Sequence, residues 1–339
     1  MRLIKTEDAV GHVLCHDMTQ IIKDQYKDAR FRKGHVVTEE DIPVLLSMGK
    51  EHLYVWEMTP GMVHENDAAE RLLALCGQEN MIRSGVKEGK IELKAACDGV
   101  FLVDSARLVA VNSQDEVMIA TRKGGMAVRE GDKLAGMRVI PLIIEEEKLR
   151  KAEQAAGDKP LLSLKPYVRK TACIVTTGGE VKKGLIKDTF TPVVIDKLKT
   201  YGIETLEVVY SGDGVENVRD AVLTKREKKP DMILCTGGMS VDPDDNTPGG
   251  IKAAGANIIA YGAPVLPGAM FLLGYFDDGM PVMGLPGCVM YAGATVFDLV
   301  LPKVAADVPV TRADIAAMGE GGLCLGCKPC RYPVCPFGK

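Results

Sequence analysis

The alternation of apolar and polar positions changes character near residue 165. Beyond it, apolar runs of strand length alternate with amphipathic stretches of helical period. Strands are predicted over 171–176, 204–209, 232–235, 257–261 and 282–285, and helices over 189–201, 215–228, 248–254 and 288–299. Gly202 stops the first of these helices. Strands alternating with helices at this spacing predict an α/β fold with a doubly wound, mostly parallel sheet over 169–308.

The pattern before residue 165 is shorter in pitch. Thr38-Glu39-Glu40-Asp41 opens an apolar run over 42–48 that stops at Gly49, which reads as a capped helix with a glycine exit. A strand over 52–56 follows, so residues 1–56 are expected to form a small α/β unit. Phe31-Arg32-Lys33-Gly34-His35 reads as a solvated turn in preference to a basic binding loop. A helix over 66–76 is capped by Asn66 and stopped by Gly77. Strand-like runs over 90–95, 99–103, 108–111, 117–121 and 139–144 come next, then a charged helix over 145–156. Residues 57–156 are therefore predicted to be a β-rich α+β accessory domain. The stretch 157–168, with Pro160 and Pro166, reads as a linker.

Composition bounds the function classes. The 339 residues exceed what one core usually supports, and 46% hydrophobic with 26% charged residues is ordinary for a globular protein. A net charge of −4 without a basic stripe argues against a nucleic-acid partner. Acids at Glu7 and Asp8 stand where a leader would have its apolar core, and no apolar run reaches bilayer length. A cytoplasmic protein with no membrane partner is the expectation. Of ten cysteines, Cys15, Cys76, Cys97, Cys173, Cys235 and Cys288 are scattered and read as reduced thiols.

The chemistry is expected at the carboxyl edge of the sheet, where ligands of open α/β sheets bind. Four loops leave that edge: Thr176-Thr177-Gly178-Gly179-Glu180 with Asp188 after it, Tyr210-Ser211-Gly212-Asp213-Gly214, the stretch from Thr236 to Pro248, and Leu285-Pro286-Gly287-Cys288. The third runs Thr236-Gly237-Gly238-Met239-Ser240-Val241-Asp242-Pro243-Asp244-Asp245-Asn246-Thr247-Pro248, with Thr247 and Pro248 placed to start a helix. Taken singly, such loops are tight turns and solvated acids. Together they suit a phosphate, because glycine loops and helix starts offer backbone N–H groups at close range. Carboxylates beside a phosphate repel it unless a hard cation bridges them, which predicts Mg²⁺.

The segment 171–305 resembles the molybdopterin-binding domain shared by the MogA and MoeA families. The matching features are Val175-Thr176-Thr177-Gly178-Gly179-Glu180, Ser211-Gly212-Asp213, the run Thr236-Gly237-Gly238 through Asp245, Thr247 and Pro248, and Pro267-Gly268 with Leu285-Pro286-Gly287. The upstream region is more similar to MoeA. The β-barrel domain usual there is replaced by a Cys-rich tail, and Gly179, Phe190, Ala269-Met270 and Cys288-Val289 depart from the family pattern. The resemblance implies insertion of molybdate into adenylated molybdopterin with release of AMP and with Mg²⁺, that is, a molybdopterin molybdenumtransferase forming homo-oligomers. On this reading Gly237, Gly238, Met239 and Ser240 hold the terminal phosphate, with Thr236, Thr247, Gly178, Pro286 and Gly287 around the pterin. Asp245 and Asp213 are the expected catalytic and Mg²⁺-binding acids, Glu180 and Asp188 the next choices, and Asp242 and Asp244 extra acids that are as easily solvated. A molybdopterin carrier or sensor without transferase chemistry is the alternative, and a nucleotide pyrophosphatase like the CinA family a third.

Residues 319–339 hold the remaining cysteines. Cys324, Cys327, Cys330 and Cys335 follow C-x₂-C-x₂-C-x₄-C-P, close to a ferredoxin run and suited to one Zn²⁺ or an iron–sulfur cluster. The other reading is an unordered reduced tail. With a metal, the tail becomes an electron-transfer, sensing or docking element toward a redox partner or molybdoenzyme.

Overall fold

The computed structural model describes residues 2–22, 26–55, 60–240, 242 and 245–339. Trp56, Val241, Pro243 and Asp244 lie outside the described residues. The chain divides into two compact units: 1–96, 103–124 and 131–163 form the first, and 97–102, 125–130 and 164–339 the second.

In the first unit, strands Arg2–Lys5 and His52–Val55 pair antiparallel and close over Ile4, Leu14, Leu45, Leu53 and Val55. The helix Asp41–Ser47 has no side-chain cap; Asp41 instead accepts hydrogen bonds from the Thr38 N–H and hydroxyl, each 2.8 Å. The next helix, Glu65–Leu75, is capped by His64, whose Nδ1 accepts from the Asn66 N–H, so the cap is two residues earlier than Asn66. An antiparallel sheet joins Met81–Arg83, Ile91–Ala95, Lys133–Val139 and Val117–Thr121. Two predicted strands differ. Residues 108–111 lie inside a helix, Ser105–Asn112, because Asp104 caps it through the Arg107 N–H and Val111 gives it a buried face. Residues 139–144 are split between the strands Lys133–Val139 and Ile143–Glu145.

The second unit is built on a six-stranded sheet. Its strands are β1 (Thr171–Thr177), β2 (Glu204–Ser211), β3 (Met232–Thr236), β4 (Asn257–Tyr261), β5 (Leu272–Tyr275) and β6 (Pro281–Leu285). The order is β2-β1-β3-β6-β5-β4; the pairs β2/β1, β1/β3 and β3/β6 are parallel, and β5 pairs antiparallel with both β6 and β4. The fold is the expected α/β class with a mixed sheet. β5 escaped prediction because Phe271-Leu272-Leu273-Gly274 is too short a run to carry a period.

Side-chain alternation sorts the strand residues onto two faces, as a pleated strand requires. Ala172, Ile174, Met232, Leu234, Met283 and Leu285 enter one core, which they share with Val194 and Leu198 of helix α1 (Phe190–Lys199). Val175, Ile233, Cys235 and Val282 enter the other, shared with Val218 and Val222 of α2 (Val215–Arg226) and Ile251 of α3 (Thr247–Ala253). Each fully buried aliphatic side chain contributes about 1.5–3 kcal/mol, so these interlocking faces dominate the stability of the sheet.

The predicted helix over 288–299 is not one helix. Gly287–Met290 makes a single 3₁₀ turn, and helix α4 begins only at Val296 and runs to Ala305. Its start is set by a capping box: the Thr295 hydroxyl accepts from the Phe297 N–H, while Asp298 Oδ2 accepts from the Thr295 N–H at 2.7 Å. Asp298 is 8% exposed and its other oxygen is paired with Lys197 of α1. Asp298→Ala therefore uncaps α4 and strands a half-buried ammonium, and is expected to cost about 3–5 kcal/mol in chemical denaturation. A loss below ~1 kcal/mol contradicts this role.

Candidate functional site

In a parallel sheet every strand delivers its carboxyl end to the same edge. Thr176 pairs with Tyr210 on one side and Thr236 on the other, and Thr236 pairs with Leu285. The loops after β1, β2, β3 and β6 thus leave side by side.

Threonine hydroxyls tie these loops together. Thr177 Oγ1 donates to the Thr236 carbonyl at 3.1 Å and lies 3.1 Å from Thr247 Oγ1, which donates to the Gly237 carbonyl at 2.9 Å. Below them, Thr176 Oγ1 meets Thr191 Oγ1 at 2.9 Å and receives Thr236 Oγ1 at 3.2 Å. All five threonines are buried. They draw the β3 loop so close to β1 that only glycine fits. A Cβ at Gly237 would meet the Thr177 carbonyl oxygen at 2.5 Å, one at Gly238 would meet Thr247 Oγ1 at 2.7 Å, and both residues hold positive φ of 82° and 55°. Thr247 is the first residue of α3 with Asn246 as N-cap, so its hydroxyl serves the loop and not the helix start. Among the described residues, no loop or turn acceptor faces the N–H groups of Gly238, Met239 and Ser240.

The acids are placed differently from one another. Asp213 Oδ2 accepts from the Gly179 N–H at 3.0 Å, and a Cβ at Gly179 would stand 2.8 Å from that oxygen. Asp213 thus occupies the space a side chain at 179 would need, which explains the glycine there. Asp188 caps α1, its Oδ1 accepting from the Phe190 and Thr191 N–H groups at 2.9 and 3.0 Å. Its Oδ2 is buried. Tyr210 stands beside it: burial first, then the Asp188 charge and a hydrogen bond to its side chain, push the phenol up. Asp245 turns back on Asp242 through its N–H, 2.9 Å from the Asp242 carbonyl. Its charge, after burial, raises the Tyr261 phenol, which donates to the Met239 carbonyl at 3.1 Å.

Of the remaining expected residues, Ser240, Asp242 and Glu180 are exposed, Gly178 is half-buried at the head of a one-turn helix (Gly179–Lys182), and Gly287 is exposed beside buried Pro286. Met239 is buried; its sulfur packs where a Cβ at Gly284 would be, 2.5 Å away, so only its backbone faces a ligand. Cys288 is half-buried and its thiol is raised by burial, while Cys235 is pushed up to about 12 and is inert.

Thr177, Thr191 and Tyr261 were not singled out in the sequence. The signal for the first was present in the doubled Thr176-Thr177 at a strand end, where alternation sends one hydroxyl to each face. Tyr261 lies some twenty positions from the loop it holds, and nothing local marks it. Among the described residues, no three His, Cys, Asp or Glu stand close enough to hold a metal ion unaided, and no helix is long and apolar enough to cross a membrane.

Comparison with known proteins bears on both units. Residues 3–57 match a domain of unknown function (DUF8806). A CinA-like protein of Pseudothermotoga lettingae is 31% identical over 78 residues, 23% of this chain and 19% of that protein. A Pyrococcus abyssi protein is 30% identical over 74 residues, 22% of this chain and 29% of its own. The chain thus spans less than a third of the length of either relative. Among solved structures, MogA covers 41% of this chain and 97% of its own at 20% identity and a TM-score of 0.36. The Mog protein from Mycobacterium ulcerans covers 41% and 93% at 25% and 0.34. MoaB from Pyrococcus furiosus, described as synthesising tungsten cofactor, covers 41% and 89% at 18% and 0.31. Residues 173–306 match the family model of a "probable molybdopterin binding domain". That match takes in all four loops of the edge, so this two-fifths of the chain is similar to a probable molybdopterin-binding domain of the kind found in molybdenum-cofactor biosynthesis.

Proposed function

We propose that the edge binds adenylated molybdopterin through its phosphates and inserts molybdate with release of AMP. The observation that supports this most is the Gly237–Ser240 turn. It is fixed from behind by Thr177 and Thr247, and among the described residues no backbone acceptor is paired with the N–H groups of Gly238, Met239 and Ser240. Such N–H groups recognise a phosphate without a full positive charge. The exposed Ser240 hydroxyl would add a further donor.

The acids set the rest of the chemistry. Asp213 has one oxygen on the Gly179 N–H, so it orients the first loop and keeps its second oxygen for the ligand. Asp188 presents a buried Oδ2 beside the Tyr210 phenol, and Asp245 stands at the open end of the phosphate turn. This set fits Mg²⁺, which binds through one or two carboxylates and takes phosphate oxygens and water for the remainder. When bound, Mg²⁺ neutralises phosphate charge that the acids would otherwise repel. Asp213 supplies a carboxylate at the place of a side chain on 179, where the MoeA family that the segment resembles usually carries an Asp, which favours a transferase over a binding-only carrier.

The direct test is AMP released from adenylated molybdopterin on adding molybdate and Mg²⁺. Release dependent on molybdate supports the reading. Tight pterin binding without AMP indicates a carrier, and AMP formed equally from other nucleotide diphosphates without molybdate indicates a pyrophosphatase. Asp245→Ala and Asp188→Asn are each expected to lower the release rate by about 10²-fold or more. Gly237→Ala forces its Cβ onto the Thr177 carbonyl and is expected to cost about 1–3 kcal/mol of stability and to abolish binding. Unchanged rates in both acid variants would remove the acids from the reaction.

A further inference from the structure

The tail is folded onto the second unit. Leu323 bridges Leu266 in parallel; the Leu266 N–H donates to the Gly322 carbonyl and the Cys324 N–H to the Leu266 carbonyl, each at 2.8 Å. Phe337 is 2% exposed and stacks edge-on against Tyr332, whose hydroxyl donates to the Asp298 carbonyl at 3.0 Å. A Cβ at Gly338 would meet Leu299 Cδ2 at 2.4 Å, so the last residues are seated against α4. The reading of an unordered tail is overturned: Phe337 completes the same core that lies beneath β1 and β3.

This docking closes a cavity of about 340 Å³ bordered by all four tail cysteines, Cys324, Cys327, Cys330 and Cys335. All four are free thiols. Gly293 lets Cys330 approach: a Cβ there would meet its Sγ at 2.7 Å. Lys328 and Arg331 border the same cavity, and their charges suit an anionic centre made of thiolates. Gly293 belongs to the loop that follows Leu285-Pro286-Gly287, so this cavity and the phosphate edge share a stretch of chain.

The size of the cavity and the cysteine spacing favour one of the two metal chemistries. Four thiolates on one zinc at about 2.3 Å crowd to roughly 3.8 Å from one another. Here all four cysteines border a space of about 340 Å³, more than one ion needs, and three of them keep the C-x₂-C-x₂-C spacing of a ferredoxin run. A four-iron, four-sulfide core fills space between its ligands and holds their sulfurs much further apart. We propose that Cys324, Cys327, Cys330 and Cys335 bind a [4Fe–4S] cluster in this cavity. The cluster is independent of the proposed transferase reaction, and its test is separate.

The full chain is reconstituted without oxygen from ferrous iron and sulfide, then desalted and assayed for iron, acid-labile sulfide and visible absorbance. The expected result is about four irons and four sulfides per chain, with a broad absorbance bleached by dithionite. The Cys327→Ser/Cys330→Ser variant, which alters exposed residues, is expected to retain the circular dichroism of the parent and lose at least about nine-tenths of the iron. Three results overturn the proposal: no iron and sulfide taken up, a single tightly held zinc that iron and sulfide do not displace, or equal iron in the folded variant.

Discussion

The Thr177 hydroxyl is the contact on which the candidate site depends. It reaches across the sheet edge to the Thr236 carbonyl and to Thr247, and Thr247 in turn holds Gly237. Three chain segments far apart in sequence meet there in a buried setting, where a polar group without a partner costs about 1–3 kcal/mol. Each hydroxyl is satisfied only when the β1 loop, the β3 turn and the start of α3 are all in place. The close approach this enforces dictates glycine at 237 and 238. Fold and binding chemistry are thereby one arrangement.

The acids around that turn make sense only with this geometry. An edge carrying Asp188, Asp213, Asp242 and Asp245 repels a phosphate at long range, while backbone dipoles attract it at short range. Under the proposed function, a bridging cation would resolve the conflict. Asp213 and Gly179 form a matched pair, since a carboxylate from the β2 loop occupies the space beside the β1 loop.

Much of this was legible in the sequence because the sheet is built from locally marked pieces. Alternation placed the strands of the parallel core, and strand-to-loop transitions at glycines placed the edge. The failures have local causes. Residues 108–111 are apolar enough for a strand, but Asp104 caps them into a helix. The region 288–299 reads as continuous helix until Thr295 and Asp298 are recognised as a capping box that starts α4 late. Tyr261 and the seat of Phe337 depend on contacts between distant segments, which no local pattern records. The cysteine spacing was plain in the sequence, but its closure around one cavity depends on the Leu266 pairing and on the gap at Gly293.

The central claim is that the threonine-pinned glycine turn and its acids together form a cation-dependent phosphate site. Titration calorimetry of adenylated molybdopterin into the chain, with Mg²⁺ and then with a chelator, tests it most directly. The account predicts saturable binding with Mg²⁺ that weakens by at least about tenfold, 1.4 kcal/mol, when the cation is removed. Equal affinity in both conditions, or no binding in either, would contradict it.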